Sequence, residues 1–411
     1  MTSQLNNVIQ KAYKVFVPRG ADITIFSKTA EDTKRLLEEK AKKAGIDVEI
    51  RFGGSYSKNT WVKGESDIDI FAIFGSEKDT KLLKNMMVPG FIEARGSREY
   101  FKGRINGITV EVVPLVRFDS VKNVKNSIDL SVLHEKYVRE KLNENLRKDI
   151  IILKRFCKSN GCYGSETYKH GFSGYALELL VIEYGGILPL LKAVDYWQDG
   201  MVIDIEGHYK NADNALESTP KQEAPMLLID PTNPKRNICG SLNSENLSKF
   251  VFACKRFVIS PSFSMFQEHD IGKEIRRLSK FRGSKLFTYD TKIIEPRDTF
   301  LSKYNKALDR LINELKSNDI EIYNYDVDYR EDVARLFLEI KSTPSTSTKQ
   351  VPGPKVWIKS KNLKEFLKAH DRVYLKGDCL YYDKKYGTKN FNIAIKTSII
   401  KYMSYKAVLK I

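Results

Sequence analysis

The chain has 411 residues and a mass of 47.2 kDa, which at ~150 residues per domain predicts two to four domains. Its 42% hydrophobic and 29% charged residues exclude a disordered chain, and no run of ~18 apolar residues long enough to cross a bilayer occurs. The five cysteines are scattered without a Cys-x-x-Cys pair, so neither a disulfide framework nor a zinc finger is predicted. Residues 1–17 contain no apolar leader, so we expect a cytoplasmic protein in a reducing compartment.

The charge balance favours a polyanionic partner. Lys and Arg number 69 against 52 Asp and Glu, which gives a net charge of +17. Residues 355–411 alone contain 14 basic and 4 acidic residues, so a net +10, and more than half of the excess, lies there. Tyrosine and phenylalanine are interleaved with these charges, and this mixture suits RNA because cations neutralise phosphates while rings stack on bases. A basic surface whose aromatic rings are only core residues explains this stretch equally well.

In chain order, the sequence first predicts both helices and strands, then mainly helices, and then helices and strands again. Helical periodicity occurs at 29–44, and strands are predicted at 48–52, 67–74 and 108–116. Helices are predicted at 149–158, 175–184 and 243–257. Beyond residue 285 we expect a strand at 286–289, a helix at 298–315 and a strand at 320–329, with 331–337 ambiguous. The Ser-, Thr- and Pro-rich residues 342–354 predict a loop or hinge.

These elements predict a multidomain α+β fold with three parts. We expect a mixed-sheet domain over residues 1–147 and a helical central domain over residues 148–260. Over residues 261–411 we expect an α+β body of the ferredoxin-like type with a basic, β-rich tail.

A glycine-rich turn after the first predicted strand is a candidate phosphate site. Gly53 and Gly54 let the backbone approach a ligand closely, because no Cβ intervenes. A helix that follows would direct its N-terminal amide groups at the turn, and this geometry favours phosphate. Ser55 adds a hydroxyl donor, and Lys58 adds a cation one turn later. Taken alone, a Gly-Ser turn followed by a lysine is usually an ordinary loop.

Three carboxylates on two later strands form a candidate metal site. Asp67 and Asp69 share one face of a strand, while Ile68 between them faces the core. Like charges this close repel each other unless a cation lies between them. Glu111 stands in the apolar run 109–113, where an acid is costly unless it is paired or functional. If the two strands are neighbours, the three carboxylates suit two Mg²⁺ ions and in-line displacement at phosphorus.

Together these motifs resemble a known superfamily, although an isolated Asp-x-Asp is more often structural. The Gly54-Ser55 turn, Asp67-x-Asp69 and the later strand acid are similar to the DNA polymerase β-like nucleotidyltransferases. Four longer stretches resemble the archaeal, class I CCA-adding enzymes (tRNA nucleotidyltransferases), namely 54–64 (GSYSKNTWVKG), 110–114 (VEVVP), 169–175 (KHGFSGY) and 230–237 (DPTNPKRN). The C-terminal third matches this family mainly in layout and basic charge.

The resemblance implies an activity, its metal ions and its partners. The activity is template-independent addition of C, C and A to the 3′ acceptor end of tRNA, from CTP and ATP, on a polymerase β-like nucleotidyltransferase domain. Asp67, Asp69 and Glu111 would bind two Mg²⁺ ions, and Glu111 would help to accept the proton of the terminal 3′-hydroxyl. The resemblance also implies a homodimer.

The resemblance further implies a set of nucleotide-binding residues. Lys154 and Tyr163 would bind the triphosphate, His134 would contact the nucleotide, and Arg236 would bind the edge of the nucleobase. With the turn, the implied set is Gly54, Ser55, Lys58, His134, Lys154, Tyr163 and Arg236. The Phe-Ser-Gly-Tyr stretch at 172–175 would fix helix packing. Lys58 and Glu111 stand where the family has arginine and aspartate, and neither departure removes a required group.

Two other functions remain open at the level of the residues. A poly(A) polymerase or an oligoadenylate synthase-like enzyme would share the acids and the Gly-Ser turn, and differs in CTP use and in tRNA specificity. A non-catalytic RNA-binding protein is disfavoured, because a dead site has no reason to keep three uncompensated acids.

The basic C-terminal stretch leads to a testable expectation. The affinity for tRNA should fall steeply as salt concentration rises, because the lysines and arginines displace counterions condensed on the phosphates. Filter binding across a salt series measures this slope, and a flat response would remove residues 355–411 from the RNA-binding surface.

Overall fold

The computed structural model describes residues 2–65, 67–95, 98–219, 224–294, 296–318, 320–330, 332–341, 347–356, 360–370, 373–386 and 388–406. The chain divides into two compact units, residues 1–268 and 269–411, and each is described by itself. Among these described residues, no helix is both long and apolar enough to cross a membrane.

A five-stranded mixed sheet forms the first part of the first unit. Its elements are α1 (Thr2–Phe16), α2 (Ala21–Lys43), β1 (Glu49–Phe52), α3 (Gly54–Ser57), β2 (Ile68–Phe74), β3 (Ile92–Arg95), β4 (Glu99–Ile105), β5 (Ile108–Val116) and α4 (Ser131–Lys141). The strand order is β1-β2-β5-β4-β3, with β2 and β5 parallel and the other neighbours antiparallel. Alternate residues of β2, from Ile68 to Phe74, are buried in one core with the apolar face of α2. The predicted mixed sheet and its three predicted strands are confirmed.

The rest of the first unit is mainly helical, as predicted, and also contains a small sheet. Its elements are α5 (Glu144–Ser159), α6 (Gly174–Tyr184), α7 (Ile187–Ala193), β6 (Met201–Ile203), α8 (Ala212–Ser218), β7 (Met226–Asp230), β8 (Asn233–Asn237) and α9 (Ser244–Ile259). The strands β6, β7 and β8 form a three-stranded sheet that the sequence pattern does not predict. The first helix, α1, belongs to this core, because Leu5, Ile9 and Ala12 are buried among the apolar residues of α5, α6 and α9.

The second unit contains two antiparallel three-stranded sheets. Its elements are α10 (Ile271–Arg282), β9 (Lys285–Lys292), α11 (Arg297–Ser317), β10 (Ile322–Tyr329), β11 (Val333–Ile340), β12 (Ser347–Lys355), α12 (Ser360–Ala369), β13 (Val373–Lys376), β14 (Cys379–Tyr386) and α13 (Thr388–Met403). In the first sheet, α11 connects β9 to β10 and β11 lies between these two strands. This is the arrangement of three of the four strands of a ferredoxin-like sheet. The ambiguous residues 331–337 largely belong to β11.

One expectation about this unit is wrong. The low-complexity residues 342–354 were expected to form a loop or hinge, yet residues 347–355 form β12, which pairs with β14 in the order β12-β14-β13. Pairing with β14 outweighs the weak local preference for strand. The register shifts between Pro352 and Lys355, because the prolines of this segment have no amide hydrogen to donate to a regular ladder. Residues 342–346 lie outside the described residues. The C-terminal stretch also contains two helices, α12 and α13, beside the expected strands.

Within the second unit, a charged side chain of α11 binds the last helix, α13. Glu314 accepts hydrogen bonds from Ser398 Oγ at 2.7 Å, Lys401 Nζ at 2.5 Å and Tyr402 Oη at 2.6 Å, all on α13. Burial would raise the pKa of Glu314, but these donors outweigh it and lower the pKa from 4.5 to about 2. The carboxylate is therefore charged at neutral pH, and α13 is docked by charge-assisted hydrogen bonds as well as by its buried apolar face.

We predict that Glu314→Gln lowers the local opening free energy of α13 by about 1–2 kcal/mol, because it removes the charge from three hydrogen bonds. Hydrogen exchange of the α13 amides measures this change. Since the folded pKa is depressed, the contribution is fully present above pH ~4.5 and is lost as the pH falls toward ~2. Glu321→Gln is the matched control, because Glu321 is exposed and its ion pair with Lys341 is on the surface. Equal protection of α13 in both variants would contradict the docking role of Glu314.

Candidate active site

The two acidic strands are neighbours, as the sequence predicts. The strands β2 and β5 run parallel, with Asp69 directly beside Glu111 in the register, and Asp67 immediately precedes β2. The residue between the two aspartates, Ile68, is fully buried. Because paired residues of neighbouring strands point to the same side of a sheet, the acidic side chains meet at one corner. We call Asp67, Asp69 and Glu111 the acidic corner.

The acidic corner attracts a cation. Burial and then the charges of Glu111 and Asp67 raise the pKa of Asp69 to about 7. The ammonium of Lys102, on the neighbouring strand β4, lies 2.8 Å from Glu111 Oε1 and 3.9 Å from Asp67 Oδ2. A side chain of the protein itself therefore supplies positive charge where carboxylates would otherwise repel each other.

These residues fit a divalent cation in their chemistry. Carboxylate oxygens are the hard donors that Mg²⁺ prefers, and Lys102 shows that the local field favours positive charge. Within the ranges that the structure describes, no three acidic, histidine or cysteine side chains form a ready-made metal site. Binding an ion at the acidic corner would therefore draw the carboxylates together and move the ammonium of Lys102 away from Glu111.

The glycine turn lies against the acidic corner. The amide of Gly53 donates to the carbonyl oxygen of Asp69 at 2.9 Å. Gly54 has φ +57°, and a Cβ there would stand 1.7 Å from Asp69 Oδ2, so no other residue fits without moving that carboxylate. The predicted helix after the turn is only the four-residue α3, so the long helix dipole expected at a phosphate site is missing from this segment. Ser55 is half-buried in α3, next to Gly54.

Two predicted phosphate-binding lysines meet at a carboxylate that the sequence analysis did not single out. Glu178, on α6, accepts hydrogen bonds from Lys58 Nζ at 2.6 Å and from Lys154 Nζ and Thr60 Oγ1 at 2.7 Å each. Burial would raise the pKa of Glu178, but Lys154 and Lys58 outweigh it and lower the pKa to about 2. Burial lowers the pKa of Lys154 to about 8, although Glu178 opposes that change. The hydroxyl of Tyr163 and the ammonium of Lys154 both lie next to Gly174. A Cβ at Gly174 would stand 3.2 Å from Tyr163 Oη and 3.7 Å from Lys154 Nζ.

Two further predicted nucleotide-binding residues, His134 and Arg236, also meet at an acid. Asp230 is fully buried at the end of β7, and its Oδ2 lies 2.9 Å from His134 Nε2 and 3.4 Å from Arg236 Nη1. Burial lowers the pKa of His134, while His134 and Thr232 outweigh burial and lower the pKa of Asp230. Asp230 Oδ2 and His134 Nε2 thus share a hydrogen bond, and Arg236 Nη1 lies 3.3 Å from the same ring nitrogen. The ring of Tyr175 stacks on His134 with centroids 4.2 Å apart, so the 172–175 stretch expected to fix packing also reaches the site.

The sequence could have pointed to one of the missed residues. Glu178 is a lone acid in an apolar helical run, Leu177 to Val181, and the cost of burying it is the argument that singled out Glu111. Lys102 and Tyr175 gave no such signal, because a lysine on an amphipathic strand and a tyrosine on a helix are common. Their contacts depend on the sheet order and on the placement of α4 beside α6.

Three family models match successive parts of the chain. A nucleotidyltransferase domain matches residues 33–134, the second domain of tRNA nucleotidyltransferase matches 148–267, and the C-terminal domain of the CCA-adding enzyme matches 285–401. Among solved structures, a cytoplasmic RNA terminal U-transferase has a TM-score of 0.51 at 13% identity, over 66% of this chain and 100% of that chain. That likeness shows the fold alone. The fold and the matched domains define a nucleotidyltransferase, a class that generally uses divalent metal ions.

Similar proteins of known name are CCA-adding enzymes of archaea. The one from Methanothermobacter thermautotrophicus is 30% identical over 92% of this chain and 84% of its own length. The one from Nanoarchaeum equitans is 30% identical over 89% of this chain and 90% of its own length. This chain belongs to the CCA-adding enzyme family.

We predict that Gly54→Ala lowers the rate of nucleotide incorporation at least about 100-fold, because the added methyl group displaces Asp69 from the acidic corner. Steady-state incorporation into tRNA measures this loss. Gly64→Ala is the matched control: its φ is +73°, but a Cβ there meets nothing within 4 Å. It shares the backbone strain without the clash, so its activity should stay close to that of the unmodified protein. Similar losses in both variants would show that strain, and not the contact with Asp69, explains the effect.

Proposed function

We infer that this protein adds the CCA sequence to the 3′ end of tRNA from CTP and ATP, without a nucleic-acid template. Family membership defines the substrates, and the observation that most directly supports the chemistry is the register of Asp69 beside Glu111, with Gly54 against Asp69. We further propose that residues 1–147 perform catalysis, residues 148–260 complete the nucleotide site and residues 261–411 bind RNA. The homodimer implied by the resemblance and a cytoplasmic location, where tRNA and the nucleotides occur, are part of this proposal.

The reaction joins a tRNA hydroxyl to the α-phosphorus of the nucleotide. The terminal 3′-oxygen forms the new bond to that phosphorus, the bond to the β-phosphate oxygen breaks, and pyrophosphate leaves. Two Mg²⁺ ions held by Asp67, Asp69 and Glu111 would supply the positive charge that lowers the pKa of the hydroxyl and neutralises the triphosphate. Glu111 accepts the proton of the hydroxyl in this proposal, and the acidic corner positions the reacting oxygen.

The other predicted residues form a binding site for the nucleotide. Gly54, Ser55 and Lys58 line its phosphate end, with Lys154 and Tyr163 beside them. His134 and Arg236 lie together at Asp230, and the planar guanidinium of Arg236 is suited to hydrogen bonds with base acceptors. A site without a template must select C and A by such protein groups together with the phosphates of the bound RNA.

The acceptor assay separates this function from its rivals. With tRNA lacking its CCA end, CTP, ATP and Mg²⁺, we expect addition of C, C and A, in that order, and no product after chelation of the metal ions. Addition of AMP alone to any RNA would indicate a poly(A) polymerase instead. The absence of any incorporation, with tRNA still bound, would indicate a non-catalytic RNA-binding protein.

We predict that Asp69→Asn lowers incorporation at least about 100-fold and leaves the Kd for tRNA unchanged, because it removes a charge that serves the chemical step only. Single-turnover extension and filter binding measure the two quantities. Asp47→Asn, an exposed carboxylate just before β1, is the matched control and should keep full activity. Loss of tRNA binding together with activity in Asp69→Asn would assign Asp69 a structural role.

A further inference from the structure

Glu178 has contacts that burial alone does not explain. It is fully buried on α6, and its two oxygens accept from three groups that belong to two separate parts of the fold. Lys58 and Thr60 belong to the segment after α3, next to the glycine turn, and Lys154 belongs to α5. A single carboxylate thus fixes the position of two ammonium groups at the phosphate end of the proposed nucleotide site.

The two lysines are bound differently. Lys154 Nζ has three hydrogens and three acceptors, which are Glu178 Oε1, the Oγ1 of Thr60 at 3.0 Å and the carbonyl oxygen of Thr60 at 3.2 Å. Lys58 Nζ meets one acceptor among the described residues, Glu178 Oε2, and stands 5.8 Å from the ring centroid of Tyr175. Lys58 therefore has ammonium hydrogens to offer to a ligand, whereas a phosphate oxygen that binds Lys154 would replace one of its two acceptors in Thr60.

The charges explain why a carboxylate is needed between them. Two buried ammonium groups close to each other would repel, and burial already lowers the pKa of Lys154 to about 8. Glu178 stays charged, with its pKa lowered to about 2, and so stabilises both cations. Without it, the repulsion between the two ammonium groups would favour positions away from each other.

We propose that Glu178 is a positioning residue that holds the ammonium groups of Lys58 and Lys154 in place for the β- and γ-phosphates of the nucleotide. This proposal rests on the proposed function, and it deepens that function by naming the residue that positions the two lysines. Glu178 itself does not touch the phosphates and acts through the lysines.

Equilibrium binding tests this proposal without relying on CCA addition. Isothermal titration calorimetry with CTP and with CMP, both in Mg²⁺, separates contacts to the β- and γ-phosphates from contacts to the rest of the nucleotide. Glu178→Gln should weaken CTP binding about 10-fold or more, because a charged ligand to phosphate is misplaced, and should change CMP binding less than about twofold. Glu183→Gln, on the exposed side of the same helix, is the matched control and should bind both nucleotides normally.

Further variants distinguish positioning from a general structural role. If Glu178 acts through the lysines, then Lys58→Met combined with Glu178→Gln should lose less CTP affinity than the sum of the two single losses. Should Glu178→Gln fail to fold, judged by circular dichroism, Glu178→Asp keeps the charge but shortens its reach. That variant should still lose affinity for CTP and not for CMP.

Three results would overturn the proposal. They are normal CTP binding by Glu178→Gln, equal loss of CTP and CMP affinity, and fully additive losses in the double variant. The proposed function fails separately: if the unmodified protein binds CTP through Lys58 and Glu178 but adds no CCA to tRNA, the positioning role stands and the CCA-adding assignment is wrong.

Discussion

The mutual repulsion of three carboxylates at one corner of a sheet is the constraint on which the site depends. Parallel pairing of β2 with β5 puts Asp69 beside Glu111, so both side chains point to the same side of the sheet. Burial and then this repulsion raise the pKa of Asp69, and the ammonium of Lys102 lies within hydrogen-bond distance of Glu111. A fold that holds acids together in this way stores an electrostatic cost that a bound cation relieves.

Hydrogen bonds to two buried acids, Glu178 and Asp230, join the five-stranded sheet domain to the helical region of the first unit. Glu178 on α6 binds Lys58 from the glycine-turn segment, and Asp230 on β7 binds His134 from α4. Each acid is fully buried, so removing its partners would leave an uncompensated charge. The same contacts that stabilise the unit thus fix the residues proposed to bind the nucleotide, and stability and function are coupled at these positions.

The sequence predicted the elements well where local pattern and tertiary context agree. The alternating apolar residues of β2 and the apolar run of β5 identified their strands, and the helical spacing of α5 and α9 identified those helices. Prediction failed for β12, because its proline and glycine residues disfavour a strand and pairing with β14 outweighs that local preference. The sheet β6-β7-β8 was missed because its strands are only three to five residues long.

By itself, the sequence determined the chemistry of the acidic corner and of the glycine turn, because residue types, two-residue spacing on a strand and missing Cβ atoms are local properties. It also determined the residues that the family resemblance assigns to the nucleotide. Only the tertiary structure decided what those residues touch: that Lys102 neutralises Glu111, that Glu178 joins Lys58 to Lys154, and that Asp230 joins His134 to Arg236. Each of these contacts links residues on different elements, and the order of strands and the packing of helices bring them together.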